Sequence, residues 1–168
     1  MKKIIPKAYK KDIYSINYEK LSSRGIKYLL FDMDNTLIPN NNIIPEERLI
    51  KLFEKLRKNF KVIILSNALP SKIKKFKKNI EIDDYFSLSC KPLTFKYKKV
   101  LKKYKIKRNK AACIGDQLFT DIKGANKMQI FSILVDPISN KESIFTKINR
   151  IKEKKAFNTY ITKGGYYE

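Results

Sequence analysis

The chain of 168 residues is long enough for one domain with a buried core, and its 43% content of hydrophobic residues indicates a globular protein. The absence of histidine excludes histidine phosphotransfer, Ser-His-Asp hydrolysis and the common zinc–histidine sites. The formal net charge of +22 has two interpretations. It can reflect lysines spread over solvated faces, or a preference for anionic partners such as phosphorylated substrates, anionic lipid surfaces or nucleic acid.

Cysteine content and hydropathy indicate the compartment. The two cysteines are Cys90 and Cys113, and neither is soon followed by the arginine that a cysteine phosphatase needs. The charged start of the chain lacks the apolar core of a signal peptide, and no stretch approaches the roughly 18 apolar residues of a membrane span. We therefore expect a protein of the reducing cytoplasm, with at most peripheral contact with the inner face of the membrane.

Short apolar runs alternate with longer amphipathic segments, which is the pattern of βα units around a parallel sheet. An N-terminal arm over residues 1–26 is expected to pack on the domain. Strands are predicted over residues 27–32, 61–66, 85–89, 111–115 and 132–135. Helices are predicted over residues 46–59, 71–78, 94–104, 119–128 and 142–155. The sequence therefore predicts an α/β fold: a single Rossmann-like domain over residues 27–155, with a mainly parallel five-stranded sheet and helices on both faces, followed by a C-terminal tail over residues 156–168.

Polar side chains follow four of the five predicted strands. In an open α/β sheet, ligands bind outside the carboxyl ends of the strands. Carboxylate, hydroxyl, amide and ammonium groups are delivered to that edge by Asp32, Asp34, Thr36, Ser66, Asn67, Lys91, Asp116 and Asp121. We therefore expect these residues to surround one site.

Asp32 and Asp34 repel each other unless a cation lies between them or one of them keeps its proton. Asp116 supplies a third carboxylate, and an all-oxygen site of this kind suits Mg²⁺. The reaction that fits is phosphoryl transfer to Asp32, with Mg²⁺ and Lys91 offsetting the repulsion between the nucleophile and the phosphate. Protonated Asp34 would donate to the leaving oxygen, and the Thr36 hydroxyl is expected to bond to the first carboxylate, that of Asp32.

The stretch DMDNT at residues 32–36, the pair Ser66-Asn67, the pair Lys91-Pro92 and GDQLFTD at residues 115–121 resemble the four motifs of the haloacid dehalogenase (HAD) superfamily of phosphatases, in this order and spacing. The resemblance covers about residues 27–135. It implies that Asp32 is the nucleophile and Asp34 the general acid and base.

The same resemblance implies the remaining roles at the site. Phosphate binding would fall to Thr36, Ser66, Asn67 and Lys91. Metal binding would fall to Asp32, the backbone carbonyl of Asp34, Asp116 and Asp121, with Mg²⁺ as the cofactor; Asp121 would either bind the metal directly or support the residues that do.

A narrower resemblance is to the YqeG-like group of subfamily IIIA, which includes phosphatidylglycerophosphate (PGP) phosphatases. It is carried by the N-terminal arm, by GDQLFTD and by FTKINR at residues 145–150. It implies dephosphorylation of PGP to phosphatidylglycerol, with a phospholipid headgroup as the substrate. The gaps over residues 37–61 and 67–91 leave no room for a cap domain, and an uncovered site suits a phosphate presented on something large.

Two alternatives stay open at this point. The first is a HAD phosphatase that acts on another exposed phosphomonoester, such as a nucleic-acid end or a sugar phosphate. The second is a non-catalytic protein that binds RNA or ribosomes on a HAD fold. The intact set of Asp32, Asp34, Lys91 and Asp116 favours an enzyme, and the near absence of arginine from the basic runs disfavours specific reading of RNA. The oligomeric state is open.

Overall fold

The computed structural model describes residues 4–139. A sheet of six parallel strands forms its centre, in the order β1-β6-β5-β2-β3-β4. The strands are β1 (Ala8–Lys10), β2 (Tyr28–Phe31), β3 (Lys61–Leu65), β4 (Asp84–Phe86), β5 (Ala111–Gly115) and β6 (Phe131–Val135). The four inner strands (β6, β5, β2 and β3) are almost fully buried, because helices cover both faces of the sheet.

Helices lie on both faces of the sheet. They are α1 (Tyr18–Ser23), α2 (Glu47–Arg57), α3 (Pro70–Lys77), α4 (Phe95–Lys103) and α5 (Lys123–Lys127). Apolar side chains of the first three pack into one core cluster with alternate residues of the strands. Apolar side chains of α4 and α5 pack into a second cluster with the intervening strand residues. A 3₁₀ turn (Ile13–Ser15) precedes α1, another (Arg108–Lys110) precedes β5, and a π-helical turn (Leu118–Ile122) precedes α5.

The α/β fold predicted from the sequence is confirmed, but the sheet has six strands rather than five. The additional strand, β1, comes from the predicted N-terminal arm and pairs in parallel with β6, with Ala8 opposite Ile133. It has only three residues at an edge of the sheet, and Ala8 is its one buried side chain, so it has no alternating pattern to detect.

Two predicted elements differ from those observed. The strand predicted over residues 85–89 ends at Phe86, because Leu88 and Cys90 have left-handed backbone angles (φ 46° and 49°) that leave the extended conformation. The helix predicted over residues 119–128 begins instead as the π-helical turn and becomes α-helical only at Lys123.

The connections at the carboxyl edge of the sheet contain no cap domain within the described residues. The chain passes from β2 to α2 through residues 32–46 and from β3 to α3 through residues 66–69, and neither connection contains a helix. Nowhere between residues 4 and 139 is a helix both long and apolar enough to cross a bilayer. The predicted helix over residues 142–155 and the tail over residues 156–168 lie outside the described residues, and the boundaries after residues 26 and 155 stay predictions.

Candidate active site

The central position of β2 places Asp32 at the middle of the carboxyl edge of the sheet. The Asp32 backbone N–H continues the β2–β5 ladder by donating to the carbonyl of Ile114 at 2.9 Å. Strands β3 and β5 flank β2, and the side chain of Asp32 is buried. Residues that follow either neighbouring strand can therefore reach it.

A tight turn after β2 returns the chain toward β5. Asn35 adopts a left-handed backbone conformation (φ 63°), and its N–H donates to the carbonyl of Ile38 at 2.7 Å. Asparagine tolerates this conformation better than most residues. The Thr36 hydroxyl, which the sequence predicted to bond to Asp32, donates instead to Asp116 Oδ1 at 2.9 Å, because the turn places Thr36 beside the end of β5.

Three buried carboxylates converge at this edge. One oxygen from each of Asp32, Asp116 and Asp121 lies within 4.8 Å of the other two. Asp121 is carried by the π-helical turn, and its Oδ2 accepts the backbone N–H of Gln117 at 3.1 Å. Gly115 leaves it the necessary space, since a methyl group there would lie 2.5 Å from Oδ2 of Asp121.

Lys91 lies between two of these carboxylates. Its Nζ is 2.5 Å from Asp32 Oδ1 and 2.6 Å from Asp121 Oδ1, and all three side chains are buried. The Lys91 backbone N–H donates to Asn67 Oδ1 at 2.9 Å, so the loop after β3 holds the loop after β4. Four of the predicted site residues thus meet in one buried group, namely Asp32, Lys91, Asp116 and Asp121. Asn67 holds the backbone of Lys91 in place.

Burial and charge both act on the ionisation of this group. Burial raises the pKa of Asp32 to about 8, helped by Asp121 and Asp116 and opposed by the Lys91 ammonium. Burial alone would lower the pKa of Lys91, but the carboxylates of Asp121 and Asp32 outweigh it and raise that pKa above its ordinary value. Lys91 therefore remains a cation, whereas Asp32 needs more positive charge nearby to be fully ionised at neutral pH.

The donor set fits a hard divalent cation. Three carboxylates that face one another and share a single ammonium form an all-oxygen group with excess negative charge, which Mg²⁺ prefers. The repulsion from Asp116 and Asp121 that raises the pKa of Asp32 is the repulsion that such a cation would remove. The Asp34 side chain is outside this group, and its predicted role as a metal ligand through the backbone carbonyl stays a prediction.

Ser66 lies at the carboxyl end of β3, where the sequence predicted a phosphate ligand. Its side chain is buried, and its Oγ accepts the backbone N–H of Ala68 at 3.2 Å. The acceptor bond orients the hydroxyl and leaves its proton for another acceptor. The roles of Thr36, Ser66 and Asn67 in phosphate binding stay predictions.

Lys72 is a residue of this edge that sequence reasoning missed. Its ammonium forms an ion pair with the Asp34 carboxylate and donates to the carbonyl of Asn40 at 2.6 Å. A lysine in the first turn of a helix interacts unfavourably with the helix dipole. This unfavourable position was the available signal that Lys72 has a specific partner. It is hidden among the other lysines of the run KIKKFKK, which starts at Lys72.

Comparisons with known proteins agree with this arrangement. The family model described as mitochondrial PGP phosphatase matches residues 1–139. Probable phosphatase YqeG of Bacillus subtilis (strain 168) is 30% identical over 161 residues, which cover 95% of this chain and 93% of that protein.

Solved structures share the fold. A HAD family enzyme from Bacteroides thetaiotaomicron, in its magnesium complex, superposes with a TM-score of 0.57 at 16% identity, over 72% of this chain and 98% of that one. The cobalt-bound deoxy-D-mannose-octulosonate 8-phosphate phosphatase of Haemophilus influenzae gives a TM-score of 0.56 at 16% identity, over 77% of each chain.

The two kinds of comparison have different weight. At 16% identity the solved structures establish the fold alone. The family match spans most of the chain and the Bacillus relative nearly all of it, so together they establish descent. The chain therefore belongs to the mitochondrial PGP phosphatase family, shares its fold with HAD family enzymes, and is a phosphoric monoester hydrolase.

Proposed function

We propose that this enzyme is a Mg²⁺-dependent phosphatase that converts PGP to phosphatidylglycerol through a phosphorylated Asp32. The observation that carries the proposal is the convergence of Asp32, Lys91, Asp116 and Asp121 in a buried group at the carboxyl edge of the sheet. The substrate is supported by the family match.

In the first step, a carboxylate oxygen of Asp32 attacks phosphorus while the bond from phosphorus to the glycerol oxygen breaks. Lys91 donates to the nucleophile and to a phosphate oxygen, and its charge offsets the repulsion between two anions. That repulsion is about 4 kcal/mol at 4 Å in an effective dielectric of 20. The Ser66 hydroxyl holds a second phosphate oxygen.

Asp34 moves the protons. In the first step it donates a proton to the departing glycerol oxygen, which leaves as an alcohol. In the second step it takes a proton from the water that attacks the phosphorus of the acyl phosphate, so that inorganic phosphate leaves and the Asp32 carboxylate is regenerated. The ion pair with Lys72 must open before Asp34 can carry the proton that it donates, which it takes from water in the preceding turnover. An anionic substrate offers Lys72 another partner.

Asp32, Asp116 and Asp121, with the backbone carbonyl of Asp34, would hold Mg²⁺, which when bound supplies positive charge to the carboxylates and to the phosphate. A substrate anchored in a bilayer also requires peripheral contact of the enzyme with the inner face of the membrane. The absence of a cap domain between residues 4 and 139 supports access by a headgroup that stays in its lipid layer.

The test is phosphate release from PGP in mixed micelles with Mg²⁺, with and without chelator. Asp32→Asn removes the nucleophile and should lower the rate at least about a thousandfold. The control, Glu54→Gln, also replaces a carboxylate by an amide but at an exposed position of α2, and it should leave the rate unchanged. p-Nitrophenyl phosphate and a 3′-phosphorylated oligonucleotide are parallel substrates.

The outcomes separate the reaction from the substrate. Turnover of PGP well above that of the other two esters would support the proposal in full. Turnover of the oligonucleotide or of the generic ester alone would retain the mechanism and reject the lipid. Full activity of Asp32→Asn would refute the phosphorylated intermediate.

A further inference from the structure

Large apolar side chains are strongly exposed at one edge of the sheet. Between residues 4 and 139 these are Ile44, Leu69, Leu88, Leu93, Phe95 and Ile138, each between 46% and 62% exposed. Each lies in, or at the end of, a connection that leaves the carboxyl end of a strand, namely β2, β3, β4 or β6. These six residues, called the apolar rim here, therefore surround the edge that carries Asp32 and Lys91.

The opposite edge of the sheet shows that this exposure is specific to one edge. Connections from helices into strands also contain large aliphatic residues and one phenylalanine, but these are at most 8% exposed: Ile26, Phe60, Ile80, Ile82, Ile106, Met128 and Ile130. Loops at the amino edge thus bury these side chains, whereas loops at the carboxyl edge bury some, such as Met33 and Leu37, and leave the six rim residues exposed. An exposed apolar patch of this kind marks an interaction surface.

Positive charge accompanies the apolar rim. Helices α3 and α4 begin directly after two of the rim connections, and their sequences, PSKIKKFK and FKYKKVLKK, contain lysines and no acidic residue. They pack into different core clusters and so flank the edge on both faces of the sheet. Their exposed lysines, apart from Lys103, which is paired with Asp84, are called the basic collar here: Lys74, Lys75, Lys77, Lys98, Lys99 and Lys102.

We propose that the apolar rim and the basic collar together dock the enzyme onto an anionic lipid bilayer, with the active site facing the lipid. The rim side chains enter the layer between the headgroups, and the collar lysines contact lipid phosphates. The choice of lipid as the occupant rests on the proposed function.

Charge complementarity favours this occupant over two others. The phosphates of a nucleic acid would pair with the lysines of the basic collar, but the apolar rim would remain in water or lie against the polar sugar-phosphate backbone. A second copy of the chain would cover the rim but would bring two sets of lysines together, and the net charge of +22 opposes such contact. An anionic bilayer offers an apolar layer and negative charge side by side.

The natural absence of tryptophan provides a direct test, because a single introduced tryptophan is the only one in the protein. Leu93→Trp places it in the apolar rim, and Lys107→Trp places it on an exposed loop at the amino edge. Vesicles of phosphatidylglycerol and phosphatidylcholine, without PGP, should shift the emission of Leu93→Trp to shorter wavelength, and brominated lipid should quench it. Lys107→Trp should show neither effect.

Binding constants provide the second measurement. Ile44→Gln, Leu69→Gln and Leu93→Gln combined should weaken vesicle binding on the order of a thousandfold, about tenfold for each half-exposed side chain. Lys74→Gln with Lys75→Gln should weaken it about fivefold for each lysine. The matched pair Lys58→Gln with Lys107→Gln, both exposed and away from the rim, should bind as the parent does. Circular dichroism and thermal midpoints check that each variant folds.

The inference is overturned by vesicle binding that the rim variant leaves unchanged, or by a spectral shift at position 107 rather than 93. A shift of Leu93→Trp that appears without lipid and grows with protein concentration would also overturn it, by assigning the rim to a contact between copies. Since these vesicles contain no PGP, binding through the rim without turnover of PGP would reject the proposed substrate alone.

Discussion

Gly115→Ala is the most direct test of the active-site geometry. Gly115 ends β5 immediately before Asp116, and a methyl group there would lie 2.5 Å from both Cβ and Oδ2 of Asp121. Carbon and oxygen atoms pack at about 3.5 Å, so one side must move by about 1 Å. Asp121 is buried and held by Gln117 and Lys91, and it cannot move without breaking these contacts.

The displacement should affect catalysis more than folding. Overpacking of this kind costs about 1–3 kcal/mol of stability, which most folded domains survive. A shift of about 1 Å at a catalytic group lowers the rate on the order of a hundredfold. We therefore expect kcat to fall by about that factor and the Mg²⁺ concentration for half-maximal activity to rise.

The assay is hydrolysis of p-nitrophenyl phosphate over a Mg²⁺ titration, with urea unfolding in parallel. Gly25→Ala is the control, since Gly25 has a positive φ of 79° that strains any side chain there, and it lies between α1 and β2 at the opposite edge of the sheet. It should lose stability to a similar degree and keep activity within a few-fold of the parent. A Gly115→Ala enzyme with the kcat and Mg²⁺ dependence of the parent would refute the argument that Asp121 has to lie where the structure places it.

Two further predictions concern ion pairs. Lys72→Met removes the cation that positions Asp34 and the Asn40 carbonyl before the ion pair opens and that then contacts the anionic substrate. The kcat on every substrate should therefore fall about tenfold with little change in thermal midpoint, and an unchanged kcat would show that Lys72 has neither role. At Asp84, burial would raise the pKa, but hydrogen bonds led by Lys103 and Tyr104 outweigh it and lower the pKa below its ordinary value of 3.8. The stability from Asp84 is therefore present above that value and lost as pH falls through the lower folded-state pKa. Urea unfolding should show Asp84→Asn less stable than the parent at neutral pH, with the difference shrinking below about pH 4, and a difference independent of pH would contradict this reasoning.

The positions of the site residues could be predicted because each follows an apolar run that reads as a buried strand. Asp32, Lys91 and Asp116 needed only the rule that parallel strands deliver their carboxyl ends to one edge. The hydrogen-bond partners of the site residues were harder to predict from the sequence. Thr36 was assigned to the wrong carboxylate, because the left-handed turn at Asn35 sets its direction and no periodicity reports such a turn.

The features that the sequence did not reveal depend on long-range contacts. Strand β1 is too short for a pattern and exists through its pairing with β6, more than a hundred residues later in the chain. Lys72 is one lysine among many, and its ion pair with Asp34 depends on where α3 begins relative to β2. The different exposure of apolar side chains at the two edges of the sheet also could not be predicted, because it depends on which of them pack into the core.

The pairing of β1 with β6 has a consequence for synthesis of the protein. Lys7 donates to Ser132, a residue 125 positions later. Among the strands of residues 4–139, the first to be made, β1, therefore pairs only with the last, β6. At 5–20 residues per second, a ribosome needs roughly 6–25 s to supply that partner. During this interval the other strands can assemble around β2, while the segment that becomes β1 has no strand to join. Closure of the sheet on the ribosome therefore cannot precede synthesis of β6, and until then the segment that becomes β1 lacks its native partner.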